Sequence, residues 1–330
     1  MIDVAIIGAG LMGRWHAHSA TRAGASVRGI FDVNPVRAKA LAAKHPGARV
    51  FDAWDPSEVA SIARVAHVCT PIDTHDGLIR GLLSLGVSVL AEKPLTPDAS
   101  STARLLDLAT TRGVQLWPVH QMPFQDGVKR LRSELGSLGR LLHIEFTTCT
   151  AGATAGGDEE QDRLIADVLP HPFSLLWALG AGPVASLNWT LLHPQPGELR
   201  AVSVSGRTAV SVAISTHGRP TSNKLRVIGE RGTFDADLFH GFAVLSRGRV
   251  SRSGKVLQPF ADAADTIARA GANLASRAIN QEPAYPGLTA LVEAFYGAVR
   301  GTSESLMSRD EILDIASARD QFEESLRSAL

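Results

Sequence analysis

The chain has 330 residues, of which 45% are hydrophobic, 20% charged and only 5% aromatic. That is the balance of a globular protein long enough for two domains of ~150 residues each. Its 33 basic and 33 acidic residues cancel, which argues against a nucleic-acid binder with a basic stripe and against a polyanionic tail. No apolar run approaches the ~18–20 residues that cross a bilayer, and no basic stretch precedes the first strand as in a signal peptide. Cys69 and Cys149 are too few for a disulfide framework, so a reducing, cytoplasmic setting is expected.

The first part of the chain alternates strands and helices. Val4–Ile7 reads as a buried strand, Met12–Ala23 as a helix, Val27–Phe31 as a strand and Pro35–Lys44 as an Ala-rich helix. Val65–Cys69, Asp76–Leu85 (closed by Gly86), Val87–Ala91, Ser100–Arg112 and Gln115–Val119 continue the alternation. Short apolar strands between helices predict a doubly wound parallel sheet covered on both faces, a Rossmann-type domain over residues 1–121.

After Gln121 the texture changes to strand-like runs bounded by Gly, Pro or Ser. These are Leu141–Thr150, Ala185–Leu192, Ala201–Ser205, Ala209–Thr216, Lys224–Ile228 and Phe242–Ser246. They predict an antiparallel sheet in an α+β domain over 122–330, with helices at Asp262–Ile279, Leu288–Val299 and Arg309–Leu326. Gly152–Asp162 reads as a mobile loop and Gly248–Lys255 as a polar connection.

Between the first strand and first helix stands Gly8-Ala9-Gly10-Leu11-Met12-Gly13. Glycines at this spacing permit a tight turn, close approach of backbone to a pyrophosphate and close helix–strand packing, and the helix start offers unpaired N–H groups. Gly8, Gly10, Leu11, Met12 and Gly13 are therefore candidate cofactor contacts. Asp32 ends the second strand, where a carboxylate accepts hydrogen bonds from the adenosine ribose and repels a 2′-phosphate; the alternative is an Asx turn before Asn34-Pro35. Arg37, five residues on, is the group through which NADP would be accommodated, so NAD is favoured with NADP as the alternative. Glu92-Lys93-Pro94 follows another strand at its carboxyl end, the edge of an open α/β sheet where ligands sit, and Lys93 can present an ammonium there. Taken alone, that tripeptide is also a common surface turn.

Together these features resemble the glucose–fructose oxidoreductase/inositol dehydrogenase (Gfo/Idh/MocA) family. The resemblance is carried by Gly8-x-Gly10-x-x-Gly13 with His16, Thr70-Pro71 with His75, Glu92-Lys93-Pro94, and the strand-rich second half. It implies an NAD(P)-dependent enzyme that moves a hydride between nicotinamide and a carbohydrate-like or cyclitol alcohol or ketone. It also implies a large, open antiparallel C-terminal sheet through which a homodimer or homotetramer is built, and the alternating apolar residues of Ala209–Ile214 and Ala185–Leu191 are the expected exposed face. Thr70, Pro71, His75 and Glu92 join the cofactor contacts by this resemblance. Asp167-x-x-x-His171, expected at a helix start, supplies the remaining family motif. Lys93, Asp167 and His171 are then the catalytic group: His171 as general acid/base, Asp167 orienting it or the substrate, Lys93 polarising the same region. His120 is added as a substrate contact from His120-Gln121-Met122-Pro123-Phe124. Without the resemblance, Asp167 reads as a cap and His171 as a packed side chain.

The departures bear on the substrate. Leu169 and Ser174 stand where the family usually has Gly and Asp, Pro170 and Pro172 bracket His171, and no Arg accompanies His120-Gln121. Fewer polar groups to grip hydroxyls suggests a less hydroxylated substrate. Alternatives are reduction of a C=N or C=C bond and a non-catalytic, dinucleotide-sensing regulator on the same fold. His16 and His75 read as packing near the cofactor, and His143, His193, His217 and His240 have no metal-ligand spacing, so no metal is expected.

Overall fold

The computed structural model describes residues 1–150, 157–248, 252–282 and 284–328. The chain divides into two compact units, one of residues 1–120 with 288–320 and the other of 121–287 with 321–330.

The first unit opens with β1 (Asp3–Ile7), α1 (Leu11–Arg22), β2 (Ser26–Phe31), α2 (Pro35–Ala42), β3 (Arg49–Val50), α3 (Pro56–Ile62) and β4 (Val65–Val68). It continues with α4 (His75–Ser84), β5 (Ser88–Ala91), α5 (Ala99–Arg112) and β6 (Leu116–Pro118). All strand pairs are parallel, in the order β3-β2-β1-β4-β5-β6. The order reverses at β1/β4, the switch point where such sheets bind ligands beyond the strands' carboxyl ends. Val65, Ala66, His67 and Val68 are all buried, as strands covered on both faces must be. Helix starts follow local chemistry: the Asn34 side chain accepts from Val36 N and Arg37 N ahead of Pro35, and Asp98 caps α5, which Gly113 ends in the left-handed conformation.

The second unit holds α6 (Asp126–Glu134), β7 (Leu141–Cys149), α7 (Asp158–Val168), α8 (Pro170–Ala178), β8 (Thr190–Leu192) and β9 (Glu198–Ser205). β10 (Thr208–Ser215), β11 (Ser222–Gly229), β12 (Gly232–Asp237), β13 (Phe242–Arg247) and α9 (Arg252–Ile279) follow. Its seven-stranded sheet runs β13-β12-β11-β7-β10-β9-β8. The expected antiparallel sheet is thus mixed: β7 and β10 pair in parallel, with Phe146 opposite Val212. Two further helices, α10 (Leu288–Arg300) and α11 (Arg309–Ser328), close the chain.

Several expectations are corrected. Residues 288–320, which the sequence assigned to the second domain, cluster with the first unit; Phe295 of α10 packs edge-on against Trp117 of β6. Only Thr190–Leu192 of the expected strand at 185–192 is extended. Asp158–Asp162, expected in a loop, lies on α7, and its acidic residues favour a helix N-terminus; residues 152–156 lie outside the described residues. The helix expected from Asp262 begins at Arg252, running through Pro259. Finally, Val210, Val212 and Ile214 of β10 are buried, so they do not form the exposed apolar sheet face that the alternation suggested. The opposite face of the sheet carries Glu145, Lys224, Arg226 and Asp235, which line a polar cleft with Asp262 and Thr266 of α9.

Candidate dinucleotide site and catalytic residues

The loop between β1 and α1 has the shape a pyrophosphate requires. Gly8 has φ +96°, and a Cβ there would sit 2.6 Å from the Cys69 carbonyl oxygen. A Cβ at Gly13 would collide with the Gly8 carbonyl, whereas one at Gly10 would meet nothing within 4 Å. Gly8 and Gly13 therefore fold the loop, and Gly10 leaves its outer side open. Gly10 is the N-cap of α1, and no side chain caps that end, so the first-turn N–H groups face outward as in an anion site. Leu11 and Met12 supply two of them; the Leu11 side chain is exposed.

Asp32 holds this loop in place. Its Oδ2 accepts from Ala9 N at 2.6 Å and its Oδ1 from Asn34 N at 2.7 Å. The Asx turn and the dinucleotide-type placement at the end of β2 thus coexist in one carboxylate. Beside it, Gly10, Leu11, Arg14, Arg37 and Lys44 line a cleft. Arg14 and Lys44 are cations that the sequence reading did not single out, although Arg14 directly follows Gly13. The open loop, the free helix start and the adjacent cations fit a dinucleotide.

Beyond β4 and β5 two loops are tied together by His75, buried at the start of α4. Its Nε2 lies 2.9 Å from the Thr70 carbonyl oxygen and its Nδ1 3.1 Å from that of Pro94. His75 thereby fixes Thr70-Pro71 against Lys93-Pro94, whose peptide bond is cis, and its own ring is turned inward. His120 follows β6 and is buried. Burial, and secondly the Lys93 charge, push its pKa down to about 3. It is a neutral ring beside a cation at neutral pH, able to exchange hydrogen bonds but carrying no charge.

Glu92 belongs to a buried chain of polar side chains. Its Oε1 is 3.1 Å from His16 Nε2, His16 Nδ1 is 3.0 Å from His67 Nδ1, and His67 Nε2 is 3.0 Å from the Tyr296 hydroxyl. With both rings neutral, one arrangement satisfies every atom: Tyr296 O–H donates to His67, His67 Nδ1–H donates to His16, and His16 Nε2–H donates to the carboxylate. Glu92 Oε2 also accepts from Lys93 N at 3.2 Å. Burial would raise the Glu92 pKa, but the His16 hydrogen bond and the Lys93 charge outweigh it and hold the carboxyl below its ordinary range. Burial, then His16, keep His67 well below the usual imidazole value. His16 was read as packing; it joins Glu92 to His67 and Tyr296, which the sequence reading passed over. The signal was available for His67, a lone imidazole inside an otherwise apolar strand, where a buried polar group needs a partner.

In the second unit Asp167 lies in the last turn of α7 and His171 in the first turn of α8, so the expected motif straddles a junction instead of opening one helix. Leu169 is the joint, still with helical dihedrals (φ −51°, ψ −35°). Pro170 and Pro172 lack the N–H groups that would continue α7. The spacing of four keeps Asp167 and His171 on one side of the junction, both half-buried. The Ser174 hydroxyl donates to the His171 carbonyl at 2.9 Å, so the residue standing in place of the family's Asp serves the helix backbone. Among the described residues, no group of three or more His, Cys, Asp or Glu could hold a metal ion, and no helix is long and apolar enough to cross a membrane.

Residues 2–120 match the family model described as oxidoreductase family, NAD-binding Rossmann fold (GFO_IDH_MocA). The chain is 34% identical over 194 residues to inositol 2-dehydrogenase of Leifsonia xyli subsp. xyli, a match covering 57% of this chain and 56% of that protein. It thus spans just over half the length of that curated relative. UDP-N-acetylglucosamine 3-dehydrogenase GnnA from Acidithiobacillus ferrooxidans superposes with a TM-score of 0.75 at 19% identity, over 99% of this chain and 98% of that one. WlbA dehydrogenase from Bordetella pertussis, solved with NADH and UDP-GlcNAcA, gives 0.74 at 16% identity, over 100% and 96%. At these identities the likeness to the solved structures is one of fold.

Proposed function

We propose, from the match of residues 2–120 to the Gfo/Idh/MocA oxidoreductase family model, that the chain is an NAD(P)-dependent dehydrogenase or reductase. It acts on a carbohydrate-like or cyclitol alcohol or ketone. The observation that carries this reading is the open cradle at Gly10 between Gly8 and Gly13, set at the switch point with Asp32 behind it. The inositol and sugar-nucleotide names of the similar proteins support the substrate class. Leu169 and Ser174, in place of Gly and Asp, favour a substrate with fewer hydroxyls to hold.

When bound, the nicotinamide supplies the hydride acceptor or donor. Loop N–H groups from Gly10 to Gly13 hold the pyrophosphate, and Asp32 keeps lone pairs for the ribose hydroxyls, which favours NAD over NADP. His171 takes the proton from the substrate hydroxyl in oxidation and returns it in reduction, with Asp167 fixing the ring. Lys93 binds and polarises the reacting oxygen, and the neutral His120 ring beside it adds a hydrogen bond without adding charge. Retention of Lys93, Asp167 and His171 together favours an enzyme over a sensor, which needs only the glycine loop and Asp32. Assembly of copies through the C-terminal sheet completes the reading; Val202 and Val204 of β9 are exposed on that sheet. The test is a panel of cyclitols, sugars, uronates and sugar nucleotides with NAD and NADP, followed by absorbance of the reduced nicotinamide. Turnover of one of these classes is expected; dinucleotide binding with no turnover across the panel would favour the sensor.

A further inference from the structure

Helix α9 is amphipathic in the reverse of the usual sense. Its half-buried stripe is mainly polar, with Gln258, Asp262, Asp265, Asn273, Ser276 and Arg277 beside the small Ala261 and Ala270. These residues bind their own unit: Asp262 accepts from Ser246 Oγ at 3.0 Å, and Asn273 Nδ2 and Arg277 donate to the His240 carbonyl. The opposite stripe faces outward and is apolar. Phe260 and Ile267 are each 75% exposed, Leu274 70%, and Val256, Leu257 and Ile279 are also exposed. Small residues share this face, namely Ala263, Ala264, Ala268, Gly271, Ala275 and Ala278, while the exposed Thr266 and Arg269 lie off it, towards the polar side. A patch of this size marks an interaction site.

We infer that this face pairs with the same face of a second copy of the chain, the two α9 helices running antiparallel across a two-fold axis. Phe260, Ile267 and Leu274 recur every seven residues, with Leu257, Ala264, Gly271 and Ala278 as the alternate positions of a heptad seam. In an antiparallel pair, Phe260 meets Gly271 of the other copy and Ala264 meets Ile267, so each inner layer sets a large side chain against a small one. Leu257 meets Leu274 at each end. A parallel pair would stack Gly271 on Gly271 and Phe260 on Phe260, leaving thin layers beside thick ones. The face is thus complementary to itself, as a two-fold contact demands.

Area and charge agree. At about 90 Å² of apolar surface per large side chain, the six on each copy bring about 1,000 Å² into the pairing, which reaches the ~1,000 Å² expected of a biological interface. No charged residue lies on the seam, so no like charges oppose. A membrane surface is disfavoured, because the polar stripe mixes Asp262 and Asp265 with Arg277 and offers no cationic rim.

The test is light scattering of the full chain at about 10–100 µM, with the double variant Phe260→Glu/Ile267→Glu. The wild type should form dimers or larger even assemblies, and the variant should show half that mass. A second variant, Gly271→Leu, guards against misfolding. A Cβ at Gly271 meets nothing within 4 Å in its own chain, and Leu suits a helix better than Gly, yet it fills the hole that receives Phe260. It should also halve the mass or raise the dissociation constant at least tenfold, with an unchanged far-ultraviolet spectrum. A monomeric wild type overturns the proposal, as does full assembly in either folded variant. A monomer that sediments with anionic vesicles assigns the face to a membrane instead.

Discussion

The chain Tyr296–His67–His16–Glu92 is either a directed, fully satisfied network or incidental core packing, and removing one hydroxyl distinguishes the two. Tyr296→Phe keeps the ring, which lies tilted against His67, and deletes the partner of His67 Nε2. Leaving one buried polar atom unsatisfied costs about 1–3 kcal/mol. For a unit of this size each kcal/mol lowers Tm by roughly 2–4 °C, so a fall of about 2–12 °C is expected. His67→Leu strands both His16 Nδ1 and the tyrosine hydroxyl, and should cost more. The double variant should cost less than the sum of the two, by about 1 kcal/mol, because the bond between them is lost only once. The pH dependence gives a second reading. His67 is held neutral by burial and then by His16, so its folded pKa lies below the unfolded value of ~6.5. The unfolded chain therefore binds the extra proton, and stability present above pH ~6.5 is lost as the pH falls toward the folded pKa. The loss is at most ~1.4 kcal/mol per pH unit across that window, and His67→Leu should not show it. Glu92, also depressed, adds its share lower, below the ordinary carboxylate range. Calorimetric scans of the full chain from about pH 3 to 8 measure both effects. Strict additivity, or a Tyr296→Phe change within about 0.5 kcal/mol of zero, would refute the network.

The remaining predictions concern the proposed function. Gly10→Ala should leave Tm within about 2 °C of the wild type and weaken dinucleotide binding, while Gly13→Ala should destabilise the first unit, because its Cβ collides with the Gly8 carbonyl; calorimetry and titration separate the two. Asp32→Ala should narrow the preference for NAD over NADP in isothermal titration, and wild-type NADP binding as tight as NAD would mean that Arg14, Arg37 and Lys44 govern the cleft. With a substrate in hand, His171→Ala should lower kcat by ~10²–10⁴ and leave NAD affinity nearly unchanged. If instead His171 only packs α8 onto its surroundings, the variant should lose a few degrees of Tm with kcat barely altered.

Much of the first unit was legible because its signals are local. Four-residue apolar strands, Asn34-Pro35 and Asp98 as helix starts, and Gly86 and Gly113 as stops each act within a turn of chain, and the observed boundaries follow them. The second unit was harder where long-range pairing decides. Nothing local to Leu141–Cys149 says that its neighbour β10 runs parallel, since that depends on the path taken by β8 and β9 between them. The 3–4 alternation of α10 announced a helix but not its neighbours, and it lies against α1 and β6 of the other end of the sequence: Thr289 Oγ1 is 3.2 Å from Ser19 Oγ. At the candidate site, the glycine loop and Asp32 could be read because their spacing is fixed by a ligand. His67 and Tyr296 could not be joined by any spacing, being 229 residues apart.

The two misread amphipathic patterns share one cause. Alternation reveals that a segment has an apolar face, but says nothing about which way the face turns. For β10 the alternation suggested an exposed apolar surface, and Val210, Val212 and Ile214 proved to be core. For α9, Pro259 hid the first turns of a helix whose apolar stripe points outward. What decides in each case is competition for the interior. β10 is central in its sheet, between β7 and β9, and α7 of the same unit packs against it and β9. α9 reaches the sheet beside the edge strand β13, over polar residues such as Lys224, Arg226 and Asp235, and a polar floor takes a polar stripe. Asp262, Asn273 and Arg277 find hydrogen-bond partners there that Phe260 and Ile267 could not use. The apolar residues are displaced outward by that choice, and the surface available for a second copy is set by the charges on the sheet beneath.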